Sequence, residues 1–357
     1  MPNNPYLTIQ HLSKEDQSAL HKIGVKLDSL GCFPTAAFRI IAKNRHFQMF
    51  VPKERGGLGM DLPTASAIVE EYAYIEGNLG WIVQIGAGGG VFAAYMSDEI
   101  GRKYFSGEDQ VIAGSDFVGG TARSVEGGYM ISGSWNYASG SMHASAFTGN
   151  VRIMDGPYQG TVRAFIMPAS QVDIRQTWNA MGMRATDSHR FEVKDVFVPE
   201  DEFFSLSEEN LQIPESPLFY IPFLAFARAV FVPVLSGTVC RYFDLYHEMM
   251  ERKNVPAGSD AFHAGEILSQ TISEYRNSFF DQVGFLWEKA ESGEFPKKLA
   301  DEFSSFCVHM TTHLLQKTEN CHRHTGMEGI RMDSPINIVY RNIVTAAAHY
   351  LLHSNSL

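Results

Sequence analysis

The stretch ISGSWNYASG, residues 131–140, decides how this chain is interpreted. It has the character of a short strand-to-turn unit that closes at Gly140. Trp135 offers a flat aromatic surface, while Asn136 and Ser139 offer short hydrogen-bonding groups. A flat heteroaromatic ligand needs a wall to stack on and a donor aimed at a ring nitrogen. The stretch therefore predicts a strand that faces such a ligand.

On either side of this strand the chain divides into three regions that differ in their pattern of apolar and turn-forming residues. Residues 1–108 carry apolar positions at helical spacing, which predicts an N-terminal helical domain. Residues 109–215 contain short β-like runs separated by Gly, Pro and Asp. Residues 216–357 return to long helical patterns whose lengths suit an antiparallel bundle. The chain is therefore predicted to be α+β.

Local signals fix some element boundaries within these regions. Ser13 and Ser97 stand immediately before apolar helical patterns, where a serine side chain caps the first free backbone N–H groups. The sequence EGGY, residues 126–129, separates two β-like runs and is a hairpin signal. We therefore expect helices to begin after both serines and a hairpin to turn at the paired glycines.

The composition is that of a globular chain with an acidic surface. The 357 residues are 45% hydrophobic and 19% charged, enough for two or three domains with ample core. The net charge of −11 argues against a nucleic-acid or anionic-membrane partner. The four cysteines form no CxxC pair, and the N-terminus lacks an apolar secretory core. We expect reduced thiols, no membrane span and a cytoplasmic location.

The glycine-rich stretch WIVQIGAGGGV, residues 81–91, has the outline of a dinucleotide-binding turn. Gly86 and Gly88 take the first two glycine positions of that motif, but Val91 takes the third. The preceding residues have helical spacing, and no second strand ending in an acid follows. We expect these glycines to allow close approach of helices or of a substrate, with Trp81 contacting the substrate.

Four stretches in order resemble the acyl-CoA dehydrogenase superfamily. They are VPKERGGLG at 51–59, TARSVEGGYMISGSWNYASG at 121–140, WNAMGMRATDS at 178–188 and VKDVFVPE at 193–200. Among its members, the chain most resembles the two-component monooxygenases that use reduced flavin. The resemblance covers nearly the whole chain. It implies an N-terminal helical domain, a middle β-barrel and a C-terminal four-helix bundle, through which the chain would form a homotetramer or homodimer.

The resemblance also implies where a flavin would lie. Trp135 would flank the isoalloxazine ring, and Ser139 would sit near its N5 and C4a edge. The other residues implied in cofactor binding are Tyr137, Arg184, Thr186, Ser188 and Gly326. The last of these belongs to a stretch that retains some glycine and donor character for a phosphate or pyrophosphate, held from a neighbouring subunit.

The type of reaction is indicated by the absence of a carboxylate base at the expected positions. An acyl-CoA dehydrogenase needs a desolvated carboxylate base beside its substrate. The resemblance places that base either just before Arg228 or in the last helix, but residue 227 is alanine and no acid follows Asp333. His349 stands in the last helix instead, and a histidine can exchange a proton with substrate near neutral pH. We predict a monooxygenase in which His349 and Ser139 are catalytic.

Two other functions stay open at this point. One is an acyl-CoA dehydrogenase with bound FAD and a relocated base such as Asp244 or Glu248. The other is a catalytically silent relative whose β domain binds a ligand or partner.

Cofactor, partner and metal expectations complete this interpretation. The family's pattern for the adenine half of FAD is incomplete at residues 251–260 and 322–329, so FMN is as acceptable as FAD. The flavin would arrive reduced from a separate reductase and act on a small organic substrate. His309 and His313 are four residues apart on a predicted helix but have no obvious third ligand, so no metal site is predicted.

Overall fold

A computed structural model describes residues 7–293 and 295–353. Its N-terminal part is helical, with α1 at Lys14–Leu30, α2 at Thr35–Lys43, α3 at Leu62–Ile75, α4 at Gly77–Gly88 and α5 at Asp98–Phe105. Both predicted caps are confirmed, because Ser13 Oγ accepts the Asp16 N–H and Ser97 Oγ accepts the Ile100 N–H. The glycine-rich stretch is helical at α4, which rules out a strand-to-turn motif there.

The middle region forms one mixed sheet. Its strands are β1 at Ile112–Val125, β2 at Gly128–Ala138, β3 at Ala146–Ile153, β4 at Val162–Pro168, β5 at Asp173–Arg175, β6 at His189–Pro199 and β7 at Phe203–Phe204. The predicted hairpin is confirmed, since β1 and β2 pair antiparallel up to Val125 and Gly128. Gly127 makes the turn with a φ of 79°, a conformation that glycine adopts without steric cost.

The predicted β-barrel is not what the described residues form. The strand order is β5-β6-β2-β1-β3-β4-β7. The short strands β5 and β7 stand at the two ends of this order and do not pair with each other, so the sheet is open. A barrel needs hydrogen bonds all the way round, with matched tilt and stagger. Edge strands of three and two residues are too short to close this one.

The C-terminal region is helical, with α6 at Phe223–Arg252, α7 at Asp260–Glu291, α8 at Lys297–His322 and α9 at Pro335–Ala347. The long helix α6 packs against α7, α8 and α9, and also against α3 and α4 of the N-terminal part. By length and composition α6 could cross a membrane, but 89% of its apolar window is buried inside the fold. Its apolar character is therefore accounted for by its place in the core.

The buried apolar side chains of the described residues form three separate cores, one in the helices, one in the sheet and one between α5 and the sheet. One apolar core runs continuously from the N-terminal helices into the C-terminal helices, while the sheet has its own core. Arg341 of α9 pins the parts together: its Nη2 lies 2.8 Å from Asp28 Oδ2 of α1, and its Nη1 donates to the Met181 carbonyl oxygen. Ser139, which follows the end of β2, meets the helices at its hydrogen bond with Trp81 of α4.

Candidate functional site

A chain of hydroxyl groups lies where the sheet meets the helices. Ser139 Oγ accepts a hydrogen bond from Trp81 Nε1 at 3.0 Å and lies 2.7 Å from Ser188 Oγ. Ser188 Oγ is in turn 2.7 Å from Thr186 Oγ1, which donates to the Met183 carbonyl oxygen at 3.0 Å. The structure therefore brings together four side chains predicted to form the site. It presents a connected set of donors and acceptors beside a buried indole.

His349 joins this cluster from the other end of the chain, and it lies just after α9 rather than within the last helix as predicted, because α9 ends at Ala347 and the backbone of His349 is extended. Its ring stacks on Phe231 with 4.5 Å between centroids, and the edge of Trp81 meets it at 5.6 Å. Burial among these rings lowers the pKa of His349 to about 4, against a smaller opposing effect of the Asp116 carboxylate. Its Nδ1 is buried and forms no hydrogen bond with any described residue. The imidazole is thus neutral at physiological pH.

Two contacts fix the C-terminal turn that follows His349. The buried Arg228 of α6 donates from Nε to the Leu351 carbonyl oxygen at 2.9 Å. Tyr350 donates its hydroxyl to the Asp116 carboxylate of β1. Because these contacts come from a helix and from the sheet, the position of the imidazole depends on both parts of the fold.

Trp135 is buried in the core of the sheet, which corrects the prediction that it flanks a flavin. Its ring stacks on Phe191 with 4.9 Å between centroids and 11° between planes, and its Nε1 donates to the Asn150 carbonyl oxygen. A Cβ atom added at any of four glycines would collide with the indole: Gly119, Gly120, Gly133 and Gly149. With no exposed surface, the indole offers no face to a ligand.

An irregularity in β2 explains this correction. Trp135 pairs with Phe191 and Ala138 pairs with His189, so β2 advances by three residues while β6 advances by two. The extra residue of β2 makes a β-bulge. Tyr137 inside this bulge has a φ of 64°, and its side chain is 73% exposed. Regular alternation would place it on the same face as Trp135. Tyr137 is therefore the aromatic ring that this strand exposes.

Two other predicted cofactor residues lie outside the hydroxyl chain. Arg184 donates from Nε to the Asp28 carbonyl oxygen at 3.0 Å, so it ties its loop to the end of α1. Gly326 has a φ of 65° and begins the 3-10 turn Gly326–Gly329 that follows α8. In the described part of the chain, neither forms a hydrogen bond with the hydroxyl chain.

The loop between β5 and β6 is held by buried amide side chains from two helical regions. Asn78 Oδ1 accepts the Ala185 N–H at 2.9 Å, and Asn342 Oδ1 accepts the Met183 N–H at 2.7 Å. Glu76 joins the two amides, accepting from Asn78 Nδ2 at 2.7 Å and from Asn342 Nδ2 at 2.8 Å. Burial raises the pKa of Glu76 to about 7. This network sets the position of the hydroxyls that the loop carries.

Sequence reasoning missed Phe231, Asp116 and Asp187. The first two contact or influence His349 only through the tertiary fold. Asp187 lies between two predicted residues, is buried with a φ of 46°, and accepts the Phe33 N–H at 3.2 Å. Burial raises the pKa of Asp187 to about 6. The acidic residue within the motif ATDS, residues 185–188, is a sequence signal that could have identified Asp187.

The carboxylates considered as relocated bases lie elsewhere. Asp244 is buried in α6 and accepts the Tyr74 hydroxyl at 2.5 Å, while Glu248 is exposed to solvent. His309 and His313 have ring centroids 4.0 Å apart on α8. Across residues 7–293 and 295–353, no three His, Cys, Asp or Glu side chains are grouped to hold a metal ion.

Comparison with known proteins assigns the family. Residues 18–107 match the family described as acyl-CoA dehydrogenase, N-terminal domain. The chain is 31% identical over 318 residues to a pigment production hydroxylase from Rhodococcus sp., covering 84% of this chain and 81% of that protein. It is 27% identical over 300 residues to an indole-3-acetate monooxygenase from Pseudomonas putida, covering 81% and 76%.

Solved structures show the same fold. The HsaA monooxygenase from M. tuberculosis superposes with a TM-score of 0.86 at 20% identity, covering 95% of this chain and 91% of that one. XiaF from Streptomyces sp., solved in complex with FADH2 and glycerol, superposes with a TM-score of 0.85 at 20% identity, covering 95% and 90%. The chain belongs to the acyl-CoA dehydrogenase superfamily and, within it, to the flavin-dependent monooxygenases.

Proposed function

We propose that this chain is the oxygenase component of a two-component monooxygenase that uses reduced FMN or FAD and O2 on a small organic substrate. The observation that carries the proposal is the meeting of Ser139, Trp81 and His349 at the sheet–helix junction. A neutral, half-buried imidazole replaces the carboxylate base that dehydrogenation requires. Neither Asp244 nor Glu248 is placed to take over that role.

The residues present suit a flavin. Tyr137 exposes a ring on which a flat cofactor can stack, and the hydroxyls of Ser139, Thr186 and Ser188 can hold its polar edge. Reduced flavin, when bound, supplies the electrons that activate dioxygen. Gly326 is proposed to approach the phosphate end of the cofactor, held on a neighbouring subunit.

His349 is proposed to move the substrate proton. Its Nδ1 is buried without a partner, so it is ready to accept a proton from a hydroxyl or amine placed against it. Because its pKa is lowered to about 4, the imidazole is unprotonated at neutral pH and can accept a proton. The rings of Trp81 and Phe231 pack against the imidazole, and they are proposed to keep water away so that the substrate proton passes to the imidazole.

The same walls indicate the class of substrate. Trp81 and Phe231 meet edge to face at 5.5 Å, and the His349 ring completes an aromatic enclosure. Such an enclosure favours flat aromatic or heteroaromatic molecules. Relatives named for indole-3-acetate and dibenzothiophene supply suitable test compounds.

The test is oxygen incorporation under controlled delivery of reduced flavin. The purified chain is loaded anaerobically with FMNH2 or FADH2, mixed with isotope-labelled dioxygen and offered indole, indole-3-acetate and dibenzothiophene. Labelled product that requires this chain supports the proposal. Bleaching of tightly bound FAD by acyl-CoA thioesters, with no labelled product, would instead establish a dehydrogenase, and loss of all flavin binding a silent relative.

Tyr137→Ala should weaken reduced-flavin binding by about 2- to 12-fold, the value of one aromatic stacking contact. The exposed ring contributes little to the sheet core, so the melting temperature should stay close to that of the parent chain. Fluorescence titration with FMN and FAD measures the affinity. Tyr137→Phe keeps the ring and is the matched control, with unchanged binding expected. Equal affinity in both variants would contradict the assignment.

We also propose that the C-terminal helices form a four-helix bundle through which a homotetramer or homodimer assembles in the cytoplasm. An exposed apolar patch on the loop after α8 supports such an interface: Met327, Ile330 and Met332. A separate flavin reductase is the second proposed partner, because a relative is named the oxygenase subunit of a flavin-dependent monooxygenase.

Met332→Glu is expected to raise the dissociation constant of the assembly by about tenfold or more, because the charge would be buried at the interface. Light scattering over a range of concentrations measures the mass of the particle. Val25→Glu, at an exposed apolar position on α1, is the control and should leave the mass unchanged. The same concentration dependence for both variants would refute the proposed interface.

A further inference from the structure

A small cavity is lined by Ser139, Gly140 and His143 on its polar side. The centre of a water-sized molecule can occupy a volume of about 10 Å³ inside it. The cavity therefore holds one molecule of a few atoms. Its apolar walls come from α4, the segment around α2, and the start of β1: Phe33, Phe38, Phe47, Ile82, Val111 and Ile112. The cavity is too small for an aromatic substrate.

The polar groups at the cavity already have partners within the protein. Ser139 Oγ accepts from Trp81 and shares a hydrogen bond with Ser188. His143 donates from Nε2 to the Phe33 carbonyl oxygen at 2.8 Å. A buried water needs two to four hydrogen-bonding partners, whereas apolar cavities take up apolar guests such as xenon. The cavity therefore favours a small apolar molecule over water.

Two rings separate this cavity from solvent. An open groove of about 670 Å³ lies outside it, and both are lined by Phe38 and His143. These rings stack with 5.1 Å between centroids and 17° between planes, and each is only half-buried. A rotamer change of either ring opens the cavity to the groove, and exposed side chains make such changes on the picosecond-to-nanosecond scale.

We propose that the cavity is a binding site for dioxygen, which enters from the groove between Phe38 and His143 and reaches the flavin edge beside Ser139. The inference rests on the proposed function, because only an oxygen-consuming chain needs such a site. Dioxygen is apolar and has two atoms, so it matches the walls and the volume. Binding there places the gas against Ser139, which lines the cavity and whose hydroxyl is proposed to hold the cofactor.

Xenon pressurisation of crystals tests the site without any reaction. Density for xenon is expected among Phe47, Val111 and Ile112 in the parent chain. Val111→Ile adds one methylene group to the wall and should remove the density, while Ile112→Val should increase its occupancy. An ordered water in that place, with no xenon in the parent chain or in Ile112→Val, would overturn the proposal.

Reoxidation of the bound reduced flavin at varied dioxygen concentration tests the route. Val111→Ile should lower the second-order rate constant by roughly fivefold with reduced-flavin affinity unchanged. Val69→Ile, which adds the same group in α3 of the helical core, is the matched control. A parental rate in a variant that has lost its xenon site refutes the route while the proposed function stands. Absence of labelled product in the parent chain refutes the function while the xenon result still reports on the cavity.

Discussion

Replacing His349 with alanine should lower the rate of substrate oxygenation by about 100- to 10,000-fold, the usual contribution of a positioned general base. The imidazole is the group with a free, buried nitrogen against the aromatic enclosure, so no neighbouring side chain replaces it. Reduced-flavin affinity should change by less than about twofold, because the proposed cofactor contacts of Tyr137, Ser139, Thr186 and Ser188 come from β2 and from the loops that adjoin β2 and β6. Labelled-oxygen incorporation and flavin titration measure the two quantities separately.

The control comes from the same end of the chain. His353 is exposed four residues further on and contacts the Ala348 carbonyl oxygen rather than the aromatic enclosure. His353→Ala should therefore turn over at the parental rate. Unchanged turnover in His349→Ala, or equal losses in both variants, would refute the role of His349.

The pH dependence follows from the same residue. Burial lowers the pKa of His349 to about 4, from an ordinary value of 6.5, so the folded protein disfavours the charged ring. The active neutral form is then retained down to mildly acidic pH and is lost only as the pH falls towards 4. The free energy of unfolding should already decline between about pH 6.5 and pH 4, because the unfolded chain takes up the proton at a higher pH than the folded protein. A drop in kcat/KM near pH 6.5 in the stable protein would contradict this assignment.

Replacing Trp135 with alanine should reduce the free energy of unfolding by about 3–5 kcal/mol, the cost of deleting a large buried aromatic side chain. The indole fills the centre of the sheet core, stacked on Phe191 and enclosed by glycine backbone. The residual space cannot collapse easily, because the glycines that form its walls have no side chains to move inwards. Denaturant unfolding of the variant measures the loss.

A milder replacement keeps this prediction testable if the alanine variant does not fold. Trp135→Phe retains a ring against Phe191 and should fold, with a smaller loss of stability and with parental affinity for reduced flavin. The reverse pattern, parental stability with a large loss of flavin affinity, would restore Trp135 to the cofactor surface. The Trp135 variants should lose stability, whereas Tyr137→Ala should lose flavin affinity, so the comparison distinguishes the roles of the two aromatic residues.

The order of the regions and several boundaries followed from local chemistry. Ser13 and Ser97 cap helices because their hydroxyls satisfy free N–H groups within three residues. The hairpin at Gly127 follows from the left-handed conformation that its turn requires. The open sheet could not be predicted in the same way, because closure depends on the pairing of edge strands far apart in sequence.

The sequence by itself identified the side chains that are proposed to carry the chemistry: the hydroxyls of Ser139, Thr186 and Ser188, the indole of Trp81 and the imidazole of His349. Only the tertiary structure decided which aromatic residue of β2 faces outwards, because one bulge reverses the alternation between Trp135 and Tyr137. It also decided the environment of His349. The rings and the carboxylate that set its pKa come from α4, α6 and β1, and no local pattern encodes contacts made over such separations.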